Sequence, residues 1–225
     1  MGGLLRPAAL TRPGTGTAEL GQLLSARTVA ELPEALPGRW EEDLEAIGPA
    51  LTAARAAVDE GCRLLVAEQC TVAIATLPDL VLAHPGLQIA WFDAHPDFNT
   101  PGTSASGFLG GMPLAHACGV WGEGGGVDPA SVHLVGIRDV DPGEAELVAR
   151  HGLRTGLPEE GPVFVHLDLD VLDNELMPAD YPAPGGWDWD ELDAALAALP
   201  DLVGIEVVGC APGRAERVAD TLARL

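Results

Sequence analysis

The order of predicted segments in this chain is that of an α/β fold with a parallel sheet. Short apolar runs typical of buried strands alternate with segments whose apolar residues recur at helical spacing. The 225 residues suffice for one such domain with a complete core. Parallel sheets bind their ligands beyond the carboxyl ends of the strands, so the residues that follow each strand are the first place to look for function.

The first helix is predicted from Glu41 to about Glu60, after an irregular stretch over residues 1–38. That stretch is rich in Pro, Gly and Thr and has little apolar alternation, so we expect no regular structure in it. The helix follows from apolar residues spaced three and four apart, and Gly61 ends it. The sequence therefore divides into an irregular N-terminal segment, 1–38, and an α/β domain, 39–225.

The elements after Gly61 alternate between the two types. Compact apolar runs indicate buried strands at 63–67, at 87–92, at 132–137, from 163 onward and at 202–208. Helical spacing indicates helices at 72–82, at 112–120, from about 142, at 187–199 and at 214–225. Pro142 suits the first turn of its helix. An alternation of this kind produces a parallel sheet.

The strand at 87–92 runs directly into an acidic motif, Asp93-Ala94-His95-Pro96-Asp97. Residues two apart share a face in extended chain, so Asp93, His95 and Asp97 can converge on one point. Carboxylates and an imidazole form a ligand set for a hard or borderline divalent ion. Taken alone, aspartates after a strand are also common as helix caps and turn formers.

A second acidic pair strengthens the metal interpretation. The apolar run that begins at Val163 carries Asp168 and Asp170 on one face. Two buried carboxylates side by side repel each other unless a cation compensates. Four aspartates and a histidine at two strand ends therefore predict a two-metal site with bridging carboxylates, of the kind that holds its ions about 3.5–4 Å apart.

The composition is strongly acidic and limits the partners of the chain. Asp and Glu outnumber Lys and Arg by 34 to 12, which gives a formal net charge of −22 and argues against nucleic acid and anionic membranes. The charge suits metal ions or a cationic substrate, although a solvated acidic surface explains most of it. The four cysteines lack CxxC spacing, no signal peptide is recognisable, and no apolar run reaches the length of a membrane span. We therefore expect a reduced, cytoplasmic protein.

Together the two acidic motifs resemble those of the arginase/agmatinase/formiminoglutamase (ureohydrolase) superfamily. Residues 93–97 match the family's Asp-Ala-His-x-Asp, and residues 168–173 match its Asp-x-Asp-x-x-Asp, with His166 and Asn174 as departures. The resemblance runs from about Leu64 to Val208. It implies a three-layer arginase-like fold, a parallel sheet flanked by helices on both faces. It also implies two manganese ions and hydrolysis of guanidino compounds to urea and an amine.

Further segments resemble the arginase branch and imply a substrate with an α-amino acid group. The resemblance assigns Asn99 and Ser106 to the α-carboxylate of the substrate, and Asp141, with Glu144 nearby, to its α-amino group. It assigns Glu206 to the guanidinium, and a glutamate inside an apolar strand is indeed hard to explain without a cationic partner. From the residues alone, Asn99 and Ser106 also suit turns, and Asp141 also suits a helix cap.

The resemblance implies a ligand set for each metal. One metal would take Asp93, His95, Asp168 and Asp170, and the other would take Asp93, Asp97 and Asp168 with Cys70 or water. Cys70 stands where the family has a histidine, because Ala67-Glu68-Gln69-Cys70 replaces Gly-Gly-Asp-His. A thiolate ligand shifts the preference toward zinc, while free cysteine is also a common small core residue.

A second departure concerns proton transfer. Gly110 stands where arginases carry a histidine that serves in proton transfer, and we expect the nearby His116 to point elsewhere. Losing such a group typically costs about 10²–10⁴-fold in rate. A substrate with a better leaving group, such as an N-hydroxylated arginine, depends less on it.

These features predict a metal-dependent hydrolase of a guanidino C–N bond, acting on arginine or on a derivative such as N-hydroxyarginine. Bound metals would make hydroxide from water, Asp97 would orient it and move its proton, and Glu206 would hold the guanidinium. One alternative, motivated by Cys70 and Gly110, is an impaired homologue that binds metal and an amino acid or a partner. Another is a formiminoglutamase-like or agmatinase-like hydrolase. The resemblance also implies a homo-oligomer.

Overall fold

The computed structural model describes residues 7–35 and 38–225, and within them it forms a sheet of eight strands. The strands are β1 (Ala8–Leu10), β2 (Arg27–Ala30), β3 (Leu64–Ala67), β4 (Gln88–Phe92), β5 (Val132–Val135), β6 (Arg154–Thr155), β7 (Pro162–Asp168) and β8 (Asp201–Val208). They lie in the order β2-β1-β3-β8-β7-β4-β5-β6, and their pairings are parallel. The predicted parallel sheet is confirmed.

Helices cover both faces of the sheet. They are α1 (Gly16–Leu23), α2 (Trp40–Asp59), α3 (Ala73–Ala83), α4 (Pro113–Ala117), α5 (Pro142–His151), α6 (Trp189–Ala197) and α7 (Ala215–Leu222). Helices α2 to α5 share one hydrophobic cluster with Ile89 and Trp91 of β4, while α1, α6 and α7 share a second cluster with Ala90 and Phe92. Because alternate residues of a strand face opposite sides, the two clusters lie on opposite faces. The three-layer fold class is confirmed.

The N-terminal segment differs from the sequence-based prediction. Irregular structure was expected over residues 1–38, but residues 7–35 contain β1, α1 and β2, so that expectation is wrong for them. The three residues of β1 are buried between β2 and β3 and therefore show no polar alternation. The Thr15 side chain accepts a hydrogen bond from the backbone N–H of Ala18 and caps α1. Residues 1–6 and 36–37 of that segment lie outside the described residues.

The other elements agree with the predicted pattern apart from their ends. Helix α4 stops at Ala117, three residues before the predicted end, and the two exposed residues of β6 gave no apolar signal. No helix in the described parts of the chain combines the length and the apolar character that crossing a membrane requires.

The central strands bring the two acidic motifs to the same edge of the sheet. Strand β7 pairs with β4 on one side, where Leu167 lies opposite Phe92, and with β8 on the other, where Asp168 lies opposite Val208. Asp93 directly follows β4, and Asp168 is the last residue of β7. Since parallel strands end at a common edge, the acidic residues of both motifs meet there.

Candidate metal centre and substrate cavity

A cavity of about 1130 Å³ opens at the carboxyl ends of the central strands. The predicted site residues that line it are Cys70, Asp93, His95, Asp97, Asn99, Ser106, Asp141, Glu144, Asp168 and Asp170. Glu206 does not line this cavity. The fold therefore gathers both acidic motifs and the predicted substrate segment in one place.

His95 joins the two acidic motifs. Its Nδ1 lies 3.0 Å from Oδ2 of Asp170 and 3.4 Å from Oδ1 of Asp93. Both carboxylates are held by backbone N–H groups, because Ala94 donates to Asp170 at 2.9 Å and His95 donates to Asp93 at 2.7 Å. One potential ligand atom from each of Asp93, His95 and Asp170 lies within 4.8 Å of the others. We call these three residues the outer group; they fit a single divalent ion.

Cys70 belongs to a second group of candidate ligands. It begins a short 3₁₀ turn after β3, it is buried, and its Sγ donates to Oδ2 of Asp168 at 2.9 Å. One potential ligand atom from each of Cys70, Asp93 and His166 lies within 4.8 Å of the others. We call these three residues the inner group. Asp93 occurs in both groups and can therefore bridge two ions.

The crowding of carboxyl groups dominates the electrostatics of the site. Burial, together with the charges of neighbouring aspartates, raises the pKa of Asp93 well above its usual range, and it raises the pKa of Asp168 to about 7. Burial likewise raises the pKa of the Cys70 thiol. Burial lowers the pKa of His95, but hydrogen bonds to Asp170 and Asp93 and their charges outweigh this effect and raise it to about 11. A metal ion can replace the protons that these groups retain because of their raised pKa values.

Asp97 occupies a strained backbone position with φ near 50°, in the left-handed region. Its carbonyl accepts the backbone N–H groups of Leu114 and Ala115 at the start of α4, at 3.1 and 3.4 Å. Its side chain is buried, and among the described residues its Oδ2 has no hydrogen-bond partner. A buried, unpaired carboxylate oxygen is unfavourable, so this atom fits a metal ion or a cationic group of a ligand.

The structure does not place Glu206 at the cavity, where it was predicted to receive the guanidinium. Its carboxylate is fully buried, with Oε1 2.7 Å from Nδ1 of His166, and Oε2 accepts a hydrogen bond from Oγ1 of Thr76 at 2.7 Å. The register of β8 places Glu206 opposite His166, two residues before the end of β7, so the carboxylate lies within the core beside the cavity wall. The expectation that a buried glutamate needs a partner holds, but the partner is a neighbouring imidazole.

Gly209 directly follows β8 and lines the cavity, as do Cys210, Ala211 and Pro212. Its φ is +74°, and a Cβ there would lie 3.1 Å from Oδ1 of Asp168. Strand β8 therefore ends against the acidic cluster without presenting a carboxylate to it.

Asn99 and Asp141 form a hydrogen-bonded pair at the cavity wall. The Nδ2 of Asn99 donates to Oδ2 of Asp141 at 3.0 Å. Glu144 accepts the backbone N–H groups of Phe98, at 2.8 Å, and of Asp141, at 3.3 Å, so its carboxylate holds the two segments together. Asp141 is the N-cap of α5, as the alternative reading predicted, and it still lines the cavity. Ser106 is exposed at the rim, where its Oγ accepts a backbone N–H at 3.2 Å.

The space beside Gly110 is filled by an aromatic ring. A Cβ at Gly110 would lie 2.3 Å from the ring of Phe108, so Phe108 occupies the place of a longer side chain. His116 lines a different cavity and contacts Trp121 edge to face, with ring centroids 4.8 Å apart. The expectation that His116 points away from the site is confirmed.

Motif comparison missed three residues that hold the site in place. The guanidinium of Arg138 donates to the carbonyl of Asp170 at 2.7 Å and thereby fixes the turn after β7. Trp91 stacks on His166 with ring centroids 3.6 Å apart, and its Nε1 donates to Oδ2 of Asp93 at 3.1 Å. The sequence signal for His166 was its position two residues before Asp168, because side chains two residues apart in a strand lie on the same face.

Comparison with known proteins agrees with this geometry. The protein-family model described as "Arginase family" matches residues 69–160 and 153–224. An N(omega)-hydroxy-L-arginine amidinohydrolase of Streptomyces lavendulae is 37% identical over 206 residues, which cover 82% of this chain and 76% of that protein. The arginase of Bacillus caldovelox is 30% identical over 175 residues, which cover 64% of this chain and 58% of that protein.

The solved native structure of the Bacillus caldovelox arginase shows the same fold. It superposes with a TM-score of 0.77 at 24% identity and covers 98% of this chain and 96% of that one. Fold and site together define an arginase-like α/β protein with two groups of candidate metal ligands. The chain belongs to the arginase family, which confirms the resemblance seen in its two acidic motifs.

Proposed function

We propose that this protein hydrolyses the guanidino C–N bond of an arginine derivative that carries an α-amino acid group, N-hydroxyarginine above all. The observation that carries the proposal is one cavity in which the metal-ligand groups face the Asn99–Asp141 pair. Acidic residues dominate the lining, in which Arg12 and His95 are the only basic residues among those described. Such a lining favours a small cationic substrate.

Two manganese ions are the family's metals, and zinc is an alternative here because Cys70 is a soft ligand. Bound divalent ions supply a nucleophilic hydroxide at neutral pH and polarise the substrate. Asp97 is the buried acid whose free Oδ2 can orient the attacking water and carry its proton toward the leaving nitrogen. Asp141 contributes a carboxylate to the α-amino group, while Asn99 and Ser106 contribute neutral donors to the α-carboxylate.

Features that the cavity lacks favour the N-hydroxylated substrate. Phe108 fills the space beside Gly110, and Gly209 offers no carboxylate for the guanidinium. The hydroxyl group withdraws electrons and lowers the basicity of the guanidino group, so this substrate depends less on a carboxylate that balances a guanidinium charge. Its hydrolysis with release of the amine gives hydroxyurea and the amine. The Streptomyces lavendulae relative carries that substrate in its name.

The test is product release by protein loaded with manganese or with zinc: hydroxyurea from N-hydroxyarginine, and urea from arginine and from agmatine. We expect the highest kcat/KM with N-hydroxyarginine, and no turnover after the metals are chelated. Asp97→Asn should lower kcat by about 10²–10⁴-fold, as expected for loss of a general acid–base group. Asp128→Asn, in the short 3₁₀ turn before β5, is the matched control and should leave kcat unchanged. Equal turnover of all three substrates would contradict the assignment.

The second candidate is a protein that binds metal and an amino acid without turnover. Gly110 and Gly209 motivate it, because neither position offers a side chain that could assist the leaving group. Calorimetry with N-hydroxyarginine separates the two functions. Binding with no hydroxyurea released by metal-loaded protein would establish the binding protein.

A further inference from the structure

A fully buried histidine faces the metal centre and is not explained by the proposed mechanism. His166 lies on β7 two residues before Asp168, so both side chains lie on the same face of the strand. Its Nδ1 contacts Oε1 of Glu206 at 2.7 Å. Within residues 7–35 and 38–225, its Nε2 has no hydrogen-bond partner although it is inaccessible to solvent. A buried ring nitrogen without a partner is unfavourable, which calls for a ligand at that atom.

The surroundings of His166 fix both its proton and its orientation. Oε2 of Glu206 already accepts a hydrogen bond from Thr76, so the glutamate is held with Oε1 toward the ring. A carboxylate at Nδ1 places the proton on that nitrogen and leaves the lone pair on Nε2. Trp91 stacks on the ring at 3.6 Å with 6° between the planes, which prevents rotation. A carboxylate that orients a histidine in this way is the usual outer partner of a histidine bound to metal.

Trp91 also connects the histidine to the shared carboxylate. Its Nε1 donates to Oδ2 of Asp93 at 3.1 Å, so the residue that stacks on His166 also orients Asp93. One potential ligand atom from each of Cys70, Asp93 and His166 already lies within 4.8 Å of the others. Bonds of about 2.0–2.3 Å from sulfur, nitrogen and oxygen to one ion are the distances of zinc sites.

We propose that His166 Nε2, Cys70 Sγ and Asp93 bind one metal ion, with Glu206 as the residue that positions His166. The inner group is then a sulfur–nitrogen–oxygen site that prefers zinc, while the outer group, with carboxylates and His95, takes a harder ion. The inference rests on the proposed metal-dependent function and gives its two metals different chemistry. Glu206 acts through His166 and does not contact the substrate.

Cobalt provides a test on the unaltered protein. Cobalt(II) bound by a thiolate gives a charge-transfer absorption in the near ultraviolet, and it shifts the NMR signal of the ring N–H of each histidine bound to it. We expect the absorption band and two shifted histidine N–H signals, one from His95 and one from His166. A single shifted histidine signal, assigned to His95, would overturn the proposal.

Variants extend the test to affinity. His166→Gln should remove one of two zinc ions, and Glu206→Gln should weaken the inner site by about 10–100-fold, the usual effect of losing the outer partner of a ligand. The matched control is His133→Gln, at a buried histidine of β5 that contacts Gln88 at 3.1 Å, and it should bind zinc as the unaltered protein does. Unchanged binding of two zinc ions by a folded Glu206→Gln variant would contradict the inner site.

The metal inference and the proposed hydrolase activity can each be rejected without rejecting the other. An inner site that depends on His166, in a protein that releases neither urea nor hydroxyurea from any substrate, would support the metal inference and reject the proposed hydrolase. Release of urea or hydroxyurea with two bound ions and no dependence on His166 or Glu206 would support the hydrolase and overturn the metal inference.

Discussion

The outer and inner groups of the metal centre share Asp93 but balance their charges differently. In the outer group, His95 lies against Asp170. Burial raises the pKa of Asp170, but the hydrogen bond and the charge of His95 outweigh burial and hold the pKa of Asp170 below its usual value. In the inner group, burial raises the pKa of the Cys70 thiol, which donates to Asp168. His95 and Asp170 of the outer group thus form an ion pair in the metal-free protein. Cys70 and Asp168, in contrast, retain protons that a metal must displace.

The largest expected effect is on the pH dependence of stability in metal-free protein. Asp168 has its pKa raised to about 7 from 3.8, so between these values the folded state binds more protons than the unfolded state. The free energy of unfolding must then decrease as pH rises, by about 1.4 kcal/mol per pH unit for each proton involved, or roughly 4 kcal/mol over the window. Asp170 acts oppositely, because its lowered pKa gives stability that is lost only as pH falls below about 4.

Chemical denaturation after chelation measures this dependence. The series runs from about pH 5 to about pH 7.5, above the isoelectric point near 4.3, where solubility is lowest. With zinc present the slope should reverse, since the metal binds the deprotonated ligands. A stability of the chelated protein that rises from pH 5 to pH 7 would contradict this account of the site.

The next effect concerns the residue that both groups share. Asp93→Ala removes one ligand from each group and should lower the affinity for both ions by more than about 100-fold, the upper range for residues that only orient a ligand. Metal analysis after gel filtration checks the stoichiometry. Asp139→Asn is the control, because its carboxylate is exposed and lies 3.9 Å from Nε2 of His95. Loss of only one ion from Asp93→Ala would show that Asp93 is not a bridge.

The sequence predicted the outer group better than the inner one, for a physical reason. Asp93, His95 and Asp170 lie within three residues of the ends of their strands, and strand ends can be located from apolar runs. The contact between Glu206 and His166 depends on which strands are neighbours, because β8 lies between β3 and β7 although it is the last strand in the chain. No local pattern encodes that order, so the contact of Glu206 with His166 could not be predicted from the sequence.

In the fold, too, the elements with a clear local pattern were predicted and those without one were not. The strands and helices after Gly61 have lengths and periodicities that the sequence reveals, whereas β1 has three buried residues and β6 has two exposed ones, too few to show a period. Within the described N-terminal part, α1 was missed because glycine and threonine lower helix propensity. It is stabilised instead by packing, since Leu20 is buried in the hydrophobic cluster of α6 and α7.

A smaller effect separates the inner group from the outer one. Cys70→Ala should lower zinc affinity by about 10–100-fold and leave the ion of the outer group in place, because the thiol belongs to the inner group only. Cys62→Ala is the matched control, since Cys62 is also a buried free cysteine and its Sγ donates to the carbonyl of Leu64. Competition with a chromophoric chelator gives both affinities. Equal zinc binding by the two variants would exclude Cys70 as a ligand.

The smallest expected effect lies at the far end of the cavity, where Asp141 is paired with Asn99 and has no role in either group. Asp141→Asn removes the charge that we assign to the α-amino group but keeps the size of the side chain, so KM for N-hydroxyarginine should rise by about 10-fold with metal content unchanged. Asp180→Asn, an exposed acid at the cavity mouth, controls for loss of general attraction. The des-amino analogue of the substrate sharpens the test, because its KM should be the same for Asp141→Asn and the unaltered protein. An equal rise in KM for both substrates would show that Asp141 maintains the cavity wall and does not recognise the amino group.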